Sequence, residues 1–133
     1  MPIVKAKSLE NINAADLLIK HEMFAASVHC SYYSGFQLSK YVLSQYCDIT
    51  YKKQDEESRG KDSHAFVKNE TSNDLSQKNR FYSIDYESWY GKLKMLRKKA
   101  DYSSEIIEDK DAKRAMEVAQ KIIGLLTEKY NII

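Results

Sequence analysis

The sequence has little of what ends or bends a helix. It contains one proline and four glycines in 133 residues, and this shortage favours long helices over a turn-rich β fold. Cys30 and Cys47 are too few for a disulfide scaffold and too far apart along one predicted helix to bond to each other. No apolar run approaches the roughly 18 residues of a membrane span, and no apolar core follows the N-terminal lysines. We therefore expect a cytoplasmic protein whose two thiols are reduced and buried.

Neither sign of charge dominates the composition. Lys and Arg total 21 and Asp and Glu total 19, for a formal net charge of +2, so charge alone requires neither a nucleic acid nor an acidic partner. The length suits one hydrophobic core, and we predict a single domain over residues 1–133. Ten tyrosines are the unusual feature, because each brings buried area together with a hydroxyl that needs a partner or water.

Apolar residues recur at helical spacing in four segments, which predicts an all-α, antiparallel bundle of four to five helices. We expect a short helix over 8–19, a long central helix over 22–46, a third from Phe81 to about Ala100, and a last helix capped by Asp109. The predicted buried positions of the last three are Val28, Tyr32, Gly35, Ser39, Val42 and Tyr46; Tyr82, Tyr86, Trp89, Leu93, Leu96 and Ala100; and Ala112, Ala115, Ala119, Ile122 and Leu126.

Residues 48–78 lack this spacing. The segment is polar and charged, with few apolar side chains to anchor it. We predict a mostly irregular connection that contains one short helix over residues 63–68. Connections of this length without regular structure are uncommon in compact domains and are usually mobile or functional, so a site residue in this segment would be consistent with the pattern.

No motif in the sequence suggests a metal or a cofactor. His21 and His29 are eight positions apart, which is not the spacing that places two ligands on successive helical turns, and the cysteines show no paired-ligand spacing. A glycine-rich phosphate loop and a nucleophile elbow are also missing. We therefore predict no metal site and no cofactor, and we find no motif for nucleotide hydrolysis or acyl transfer.

Basic residues alternate with aromatic rings in the segment YESWYGKLKMLRKK. Basic groups neutralise phosphates and exposed rings stack on bases, so the pattern suits RNA. The solvated face of an ordinary helix is the alternative interpretation. The basic residues are Lys92, Lys94, Arg97, Lys98 and Lys99.

A second pattern, in the segment ESRGKDSH, places Arg59 five positions before His64. An imidazole that moves protons and a guanidinium that stabilises the charged phosphorane can together cleave RNA without a metal. A polar loop with an exposed His64 is the alternative interpretation of this segment.

Three segments together resemble the HEPN superfamily of prokaryotic four-helix proteins: FAASVHCSYYSGFQLSKYVL, the residues around SHAFVK, and LRKKADYSSEIIEDKDAKRAMEVAQKIIGLL. The resemblance is to the subfamily with a Tyr-Tyr-Ala-x-Phe pattern and a helix that ends Leu-Arg-x-x-Ala-Asp-Tyr. It covers about residues 8–127. It implies a helical bundle, often a homodimer, that is frequently encoded beside a minimal nucleotidyltransferase in toxin–antitoxin or defence systems.

The resemblance also implies a site. Many HEPN proteins are metal-independent endoribonucleases that use an Arg and a His four to six residues apart at a dimer cleft, and in some a nearby Tyr is modified by the partner transferase. In this sequence Asp101 and Tyr102 follow Arg97 where that His would stand, and Gln37 occupies a position where the subfamily commonly has His. Arg97 and Asp101 can instead form an i,i+4 ion pair worth about 0.2–0.5 kcal/mol, and His64 can reach the same cleft from the connection.

Two functions follow. The one that we predict is a binding and interaction module, a homodimer that engages a nucleotidyltransferase and holds RNA or a nucleotide near Arg97, Lys98, Asp101 and Tyr102.

The alternative is a metal-independent endoribonuclease toxin. In that case Arg97 or Arg59 stabilises the transition state, and His64 serves as general acid and base.

Overall fold

The computed structural model describes residues 3–132, which form six helices and no strand. They are α1 (Ile3–Lys20), α2 (Phe24–Tyr46), α3 (Tyr51–Glu57), α4 (Ser63–Lys78), α5 (Arg80–Tyr102) and α6 (Asp109–Lys129). The predicted all-α class is confirmed. The predicted number of four to five helices is wrong for this range, and so is the irregular connection over 48–78. No helix in the described range combines the length with the low polarity needed to cross a membrane.

Two helices occupy the segment that was predicted to be irregular, and α4 runs well past residue 68. Its fully or nearly fully buried residues are Val67, Thr71, Ser72 and Leu75. These positions have helical spacing, but two of them carry hydroxyls and not apolar side chains. A search for apolar periodicity therefore misses a helix whose buried face is half polar.

Side-chain caps define where these helices begin. The Thr50 hydroxyl accepts a hydrogen bond from the Lys53 backbone N–H at 3.1 Å at the start of α3. Asp62 caps α4 in the same way. At α6 the cap is Glu108, and not Asp109 as predicted, because Asp111 completes a capping box by accepting from the Glu108 N–H at 3.0 Å.

α2 is the central helix and packs against α1, α4, α5 and α6. α1 runs antiparallel to it through small side chains. The Ser8 hydroxyl donates to the Ser34 carbonyl at 2.7 Å, and the Ser27 hydroxyl donates to the Ala15 carbonyl at 2.7 Å. Side chains this short let the two backbones approach each other closely.

α6 supplies the apolar partner of α2. Its predicted face is confirmed, because Ala112, Ala115, Ala119, Ile122 and Leu126 are fully buried. Ile122 lies against Gly35 of α2, where an added Cβ would stand 3.7 Å from the isoleucine side chain. Burying apolar surface of this kind contributes about 25 cal/mol per Å².

The predicted faces of α2 and α5 are largely confirmed. In α2 the exception is Tyr46, which is 44% exposed. In α5 Tyr86 and Leu93 are fully buried, while the other predicted positions are partly buried against the core. Tyr90, which the predicted stripe omits, is also buried. The two cysteines are free, as predicted, but both are only partly buried.

A single residue separates α4 from α5. Asn79 ends α4 and caps α5, and its side chain accepts from the Phe81 N–H at 2.9 Å. The chain reverses there, and the hydroxyls of Ser72 and Ser83 meet at 2.7 Å across the two antiparallel helices. This reversal places the start of α4 beside the C-terminal half of α5.

Candidate functional site

Aromatic and charged side chains gather where the start of α4 meets α2 and α5. Four of them on α2 (positions 29, 33, 36 and 40) and four on α5 (positions 90, 94, 97 and 101) step by four, three and four, which places each row on one side of its helix. We call this group the His64–Arg97 cluster. It consists of His29, Tyr32, Tyr33, Phe36 and Lys40 of α2, His64 of α4, and Tyr90, Lys94, Arg97, Asp101 and Tyr102 of α5.

His64 lies in the first turn of α4, where the cap and a ring stack fix its position. The Asp62 Oδ1 accepts from the backbone N–H groups of His64 at 2.9 Å and Ala65 at 3.3 Å. The imidazole stacks on Phe36 with the ring centres 4.1 Å apart and the planes 10° apart. Its Nδ1 is 2.8 Å from the hydroxyl oxygen of Tyr32. The ring therefore has one defined orientation.

The Arg97 side chain contacts the same two tyrosine rings as His64. Its guanidinium carbon is 4.9 Å from the ring centre of Tyr32 and 5.5 Å from that of Tyr33. The His64 ring centre is 5.6 and 5.7 Å from the same two centres. Arg97 Nη2 also donates to the hydroxyls of Tyr33 at 3.3 Å and Tyr102 at 3.2 Å. The structure thus brings together an arginine and a histidine from different helices.

Asp101 orients the guanidinium. Arg97 Nε donates to Asp101 Oδ2 at 3.2 Å, so the ion pair that the i,i+4 spacing suggested is present. The same oxygen is 2.9 Å from Nδ1 of His29, whose ring centre is 4.6 Å from that of Tyr33. The Arg97 side chain is 14% exposed, whereas Tyr102 at the helix end is 73% exposed. The cluster therefore contains a guanidinium fixed in position, that of Arg97, with the exposed ring of Tyr102 at its edge.

Three cations act on His64. Burial lowers the pKa of His64 from its ordinary value of 6.5, and Arg97, Lys94 and Lys40 lower it further, while Asp62 opposes them. Neither lysine has an ion-pair partner among residues 3–132. The imidazole is therefore neutral at neutral pH and stands among positive charges.

Two buried tyrosine hydroxyls lie behind the imidazole. The Tyr32 and Tyr90 oxygens are 2.9 Å apart, and the two residues are 0% and 3% exposed. Burial raises the pKa of both hydroxyls, so both stay protonated at neutral pH. The site is thus backed by a pair of neutral hydrogen-bonding groups in the core.

The structure places two of the predicted site residues elsewhere. Arg59 is exposed in the turn between α3 and α4, and Lys98 is exposed on α5. No hydrogen bond, ion pair or ring contact of the cluster involves either of them within the described range. The predicted residues that the structure brings together are His64, Arg97, Asp101 and Tyr102.

Sequence reasoning missed the contribution of α2. His29, Tyr33, Phe36 and Lys40 repeat at the same four, three and four spacing as the row on α5, which was a usable signal. An aromatic residue in an amphipathic helix is ordinarily assigned to the core, so the row on α2 does not by itself indicate a site. Tyr90 was missed for a different reason, since it lies beside the predicted stripe of α5 and not on it.

No three side chains of His, Cys, Asp or Glu in the range 3–132 come together in a way that could hold a metal ion. A comparison of the chain with protein-family models, curated proteins and solved structures found no match. The function proposed below is supported by the geometry of the His64–Arg97 cluster and by the resemblance described in the sequence analysis.

Proposed function

We propose that the protein is a HEPN-type module that binds the phosphate groups of RNA or of a nucleotide at the His64–Arg97 cluster. The observation that carries this proposal is the packing of His64 and Arg97 against the same rings of Tyr32 and Tyr33. Lys40 lies 5.7 Å from the centre of the Phe36 ring that stacks on His64, and the charges of Lys40 and Lys94 help to lower the pKa of His64. The sequence resemblance supports the remaining parts: the HEPN-like bundle, the homodimer, and a minimal nucleotidyltransferase partner in a toxin–antitoxin or defence system.

The charges favour an anionic ligand for a simple reason. Lys40 and Lys94 form no close ion pair in the described range, although the charge of Lys94 helps to lower the pKa of Asp62. A phosphate that meets the two lysines therefore breaks no direct pair. Arg97 is already held by the hydroxyls of Tyr33 and Tyr102, which reduces the entropy that binding costs. Phosphate contacts from Lys and Arg supply most of the sequence-independent affinity for nucleic acids.

Aromatic rings at the edge of the cluster suit a nucleotide better than a free anion. Tyr102 is 73% exposed, and its ring centre is 5.4 Å from the guanidinium carbon of Arg97. Stacking of a base on an aromatic ring is worth about 1–3 kcal/mol. A ring beside a phosphate-binding cation therefore fits the two chemical parts of a nucleotide.

The test is an RNA-binding measurement at low salt. Fluorescence anisotropy of a labelled single-stranded RNA should show that Arg97→Gln weakens binding roughly ten- to a hundredfold, because a hydrogen bond to a charged group is worth about 1.5–3 kcal/mol. Arg114→Gln is the matched control, since Arg114 is exposed on α6 beside Lys92 and Met95 and outside the cluster. Equal losses in both variants would show that only net charge matters and would refute the site.

A metal-independent endoribonuclease is the second candidate, and one observation favours it. His64 and Arg97 contact the same tyrosine rings, and a neutral imidazole beside a guanidinium has the components of general base and phosphorane stabiliser. Incubation of RNA with the protein in EDTA, with His64→Asn and Arg97→Gln in parallel, separates the candidates. Cleavage that is lost in both variants supports the nuclease, and binding without cleavage supports the module.

A further inference from the structure

The tyrosines behind His64 form a short chain of hydrogen bonds. The Tyr90 hydroxyl has one hydrogen-bond partner in the described range, the Tyr32 hydroxyl at 2.9 Å. Tyr32 in turn contacts Nδ1 of His64 at 2.8 Å. Tyr90 is 3% exposed and Tyr32 is fully buried, so their protons must be placed within this chain. We call these three residues the hydroxyl relay.

The number of protons gives the relay one direction. Each neutral hydroxyl has one proton to donate, and a buried donor without an acceptor is costly and rare. If Tyr32 donated to Tyr90, the Tyr90 proton would be left without an acceptor. Tyr90 therefore donates to Tyr32, and Tyr32 uses its own proton to donate to Nδ1 of His64.

Burial raises the pKa of both hydroxyls. Each tyrosine therefore keeps the proton that this count assigns to it at neutral pH.

We infer that Tyr90 and Tyr32 are positioning residues that hold neutral His64 in the tautomer with its proton on Nε2. A nitrogen that accepts from Tyr32 carries a lone pair, so the single proton of the neutral ring lies on the other nitrogen. Nε2 has no hydrogen-bond partner in the described range and is not among its buried unpaired atoms, so it reaches solvent. The relay thus presents an N–H donor at the surface.

This donor specifies the ligand chemistry, an inference that rests on the proposed phosphate site. An N–H group beside Arg97, Lys94 and Lys40 offers hydrogen to a ligand and does not accept it. The matching ligand is an oxyanion that accepts at several oxygens, such as a phosphate group. The same arrangement disfavours cleavage by His64 as a base, because its one unprotonated nitrogen is occupied by Tyr32.

The tautomer can be measured directly on the full chain. Long-range ¹H–¹⁵N correlation NMR of the uniformly labelled protein, at a pH well above 6.5, distinguishes protonated from unprotonated ring nitrogens. We expect His64 to carry its proton on Nε2. His29 is an internal contrast: its Nδ1 faces a carboxylate that only accepts, so it should carry its proton on Nδ1. A His64 with its proton on Nδ1 would overturn the inference.

Substitutions test whether the Tyr32 hydroxyl causes the preference of His64 for the Nε2–H tautomer. Tyr32→Phe removes the donor, and His64 should return towards the mixture of tautomers shown by an exposed histidine such as His21. Tyr86→Phe is the control, because it removes another buried hydroxyl of α5 that contacts Ser39 and not the relay. An unchanged tautomer in a folded Tyr32→Phe protein would count against the relay. If that variant does not fold, the wild-type tautomer alone still decides.

Inorganic phosphate added to the same sample separates this inference from the proposed function. A shift of the His64 Nε2 signal on titration, at constant ionic strength, supports both. A fixed Nε2–H tautomer with no response to phosphate supports the relay and overturns the phosphate site. A proton on Nδ1 overturns the relay whatever phosphate does.

Discussion

Two chains of hydroxyl groups cross from α5 to α2, and they end differently although they start one helical turn apart on α5. In the first, Ser39 donates to the Gly35 carbonyl at 2.9 Å and contacts the Tyr86 hydroxyl at 2.7 Å. The one hydroxyl proton of Ser39 is donated to the carbonyl, so Ser39 can only accept from Tyr86, and Tyr86 is the donor. The second is the hydroxyl relay, which ends on the half-buried ring of His64.

The comparison shows that the last acceptor decides what a buried polar chain can do. A backbone carbonyl does not titrate, so the chain from Tyr86 satisfies its groups within the core and serves packing. An imidazole has a second nitrogen, so a hydrogen bond accepted at Nδ1 places the ring proton on Nε2, which faces solvent. The same residue type on the same helix is therefore structural at Tyr86 and part of the site at Tyr90.

Leu93→Ala should have the largest effect and should damage both chains. Leu93 is fully buried and lies 3.7 Å from the Cβ position of Gly35, where α5 meets α2. The cavity should lower the free energy of unfolding by about 2–5 kcal/mol in urea denaturation. Met95→Ala on the same helix is the control, because Met95 is 72% exposed and should change stability by no more than about 0.5 kcal/mol. Similar losses in the two variants would argue against this packing.

Removal of single hydroxyls should separate the chains. Tyr86→Phe deletes the hydrogen bond to Ser39 and should cost about 0.5–1.5 kcal/mol of stability. Tyr32→Phe deletes the contacts with Tyr90 and His64 and should cost at least as much. RNA binding measured by anisotropy should weaken in Tyr32→Phe alone, because only that change removes the donor that orients His64. Weakened binding in both variants, or in neither, would remove the distinction between the chains.

Stability should depend on pH through His64. Its pKa is lowered by burial and then by Arg97 from the ordinary 6.5, so the unfolded chain binds a proton at pH values where the folded chain does not. The contribution of neutral His64 to the free energy of unfolding is fully present above about pH 6.5. It is lost as the pH falls through the lower pKa of the folded state. Urea denaturation from about pH 8 to about pH 5 should therefore show a smaller loss for His64→Asn than for the wild type. Parallel curves would rule out this linkage.

The smallest expected effect is on the ion pair at the edge of the cluster. Asp101→Asn removes a pair worth about 0.2–0.5 kcal/mol, so stability should change little. RNA affinity should rise, because the change removes a negative charge beside Arg97. The gain in RNA affinity should shrink at higher salt, because salt screens the attraction between the cluster and the RNA phosphates. Anisotropy at two salt concentrations measures the change in RNA affinity and its salt dependence. Reduced affinity would contradict the prediction and would indicate that Asp101 matters mainly by orienting Arg97.

Much of the fold could be predicted because apolar side chains mark its helices. The face of α6 from Ala112 to Leu126 is apolar at every predicted position and is fully buried. α4 could not be found this way, because Thr71 and Ser72 take buried positions that a pattern search assigns to solvent. Helix caps such as Asn79 carry the missing boundary information, but a cap residue is also common in loops.

The site could be predicted only in part for a related reason. The Arg97–Asp101 pair follows from local spacing, and its presence was foreseeable. His64 and Arg97 come together because the chain reverses at Asn79, and no local sequence pattern predicts that reversal. The hydroxyl relay depends on proton placement between Tyr90 and Tyr32, which needs three-dimensional contacts.

The most direct test of the phosphate site is the pKa of His64 with and without inorganic phosphate, measured by NMR titration at constant ionic strength with chloride as the control anion. Arg97, Lys94 and Lys40 contribute to the lowered pKa of His64, so an anion bound among them must offset that effect. The account predicts that saturating phosphate raises the pKa of His64 in the wild type and much less in Arg97→Gln. A pKa that stays the same in phosphate and in chloride would contradict it.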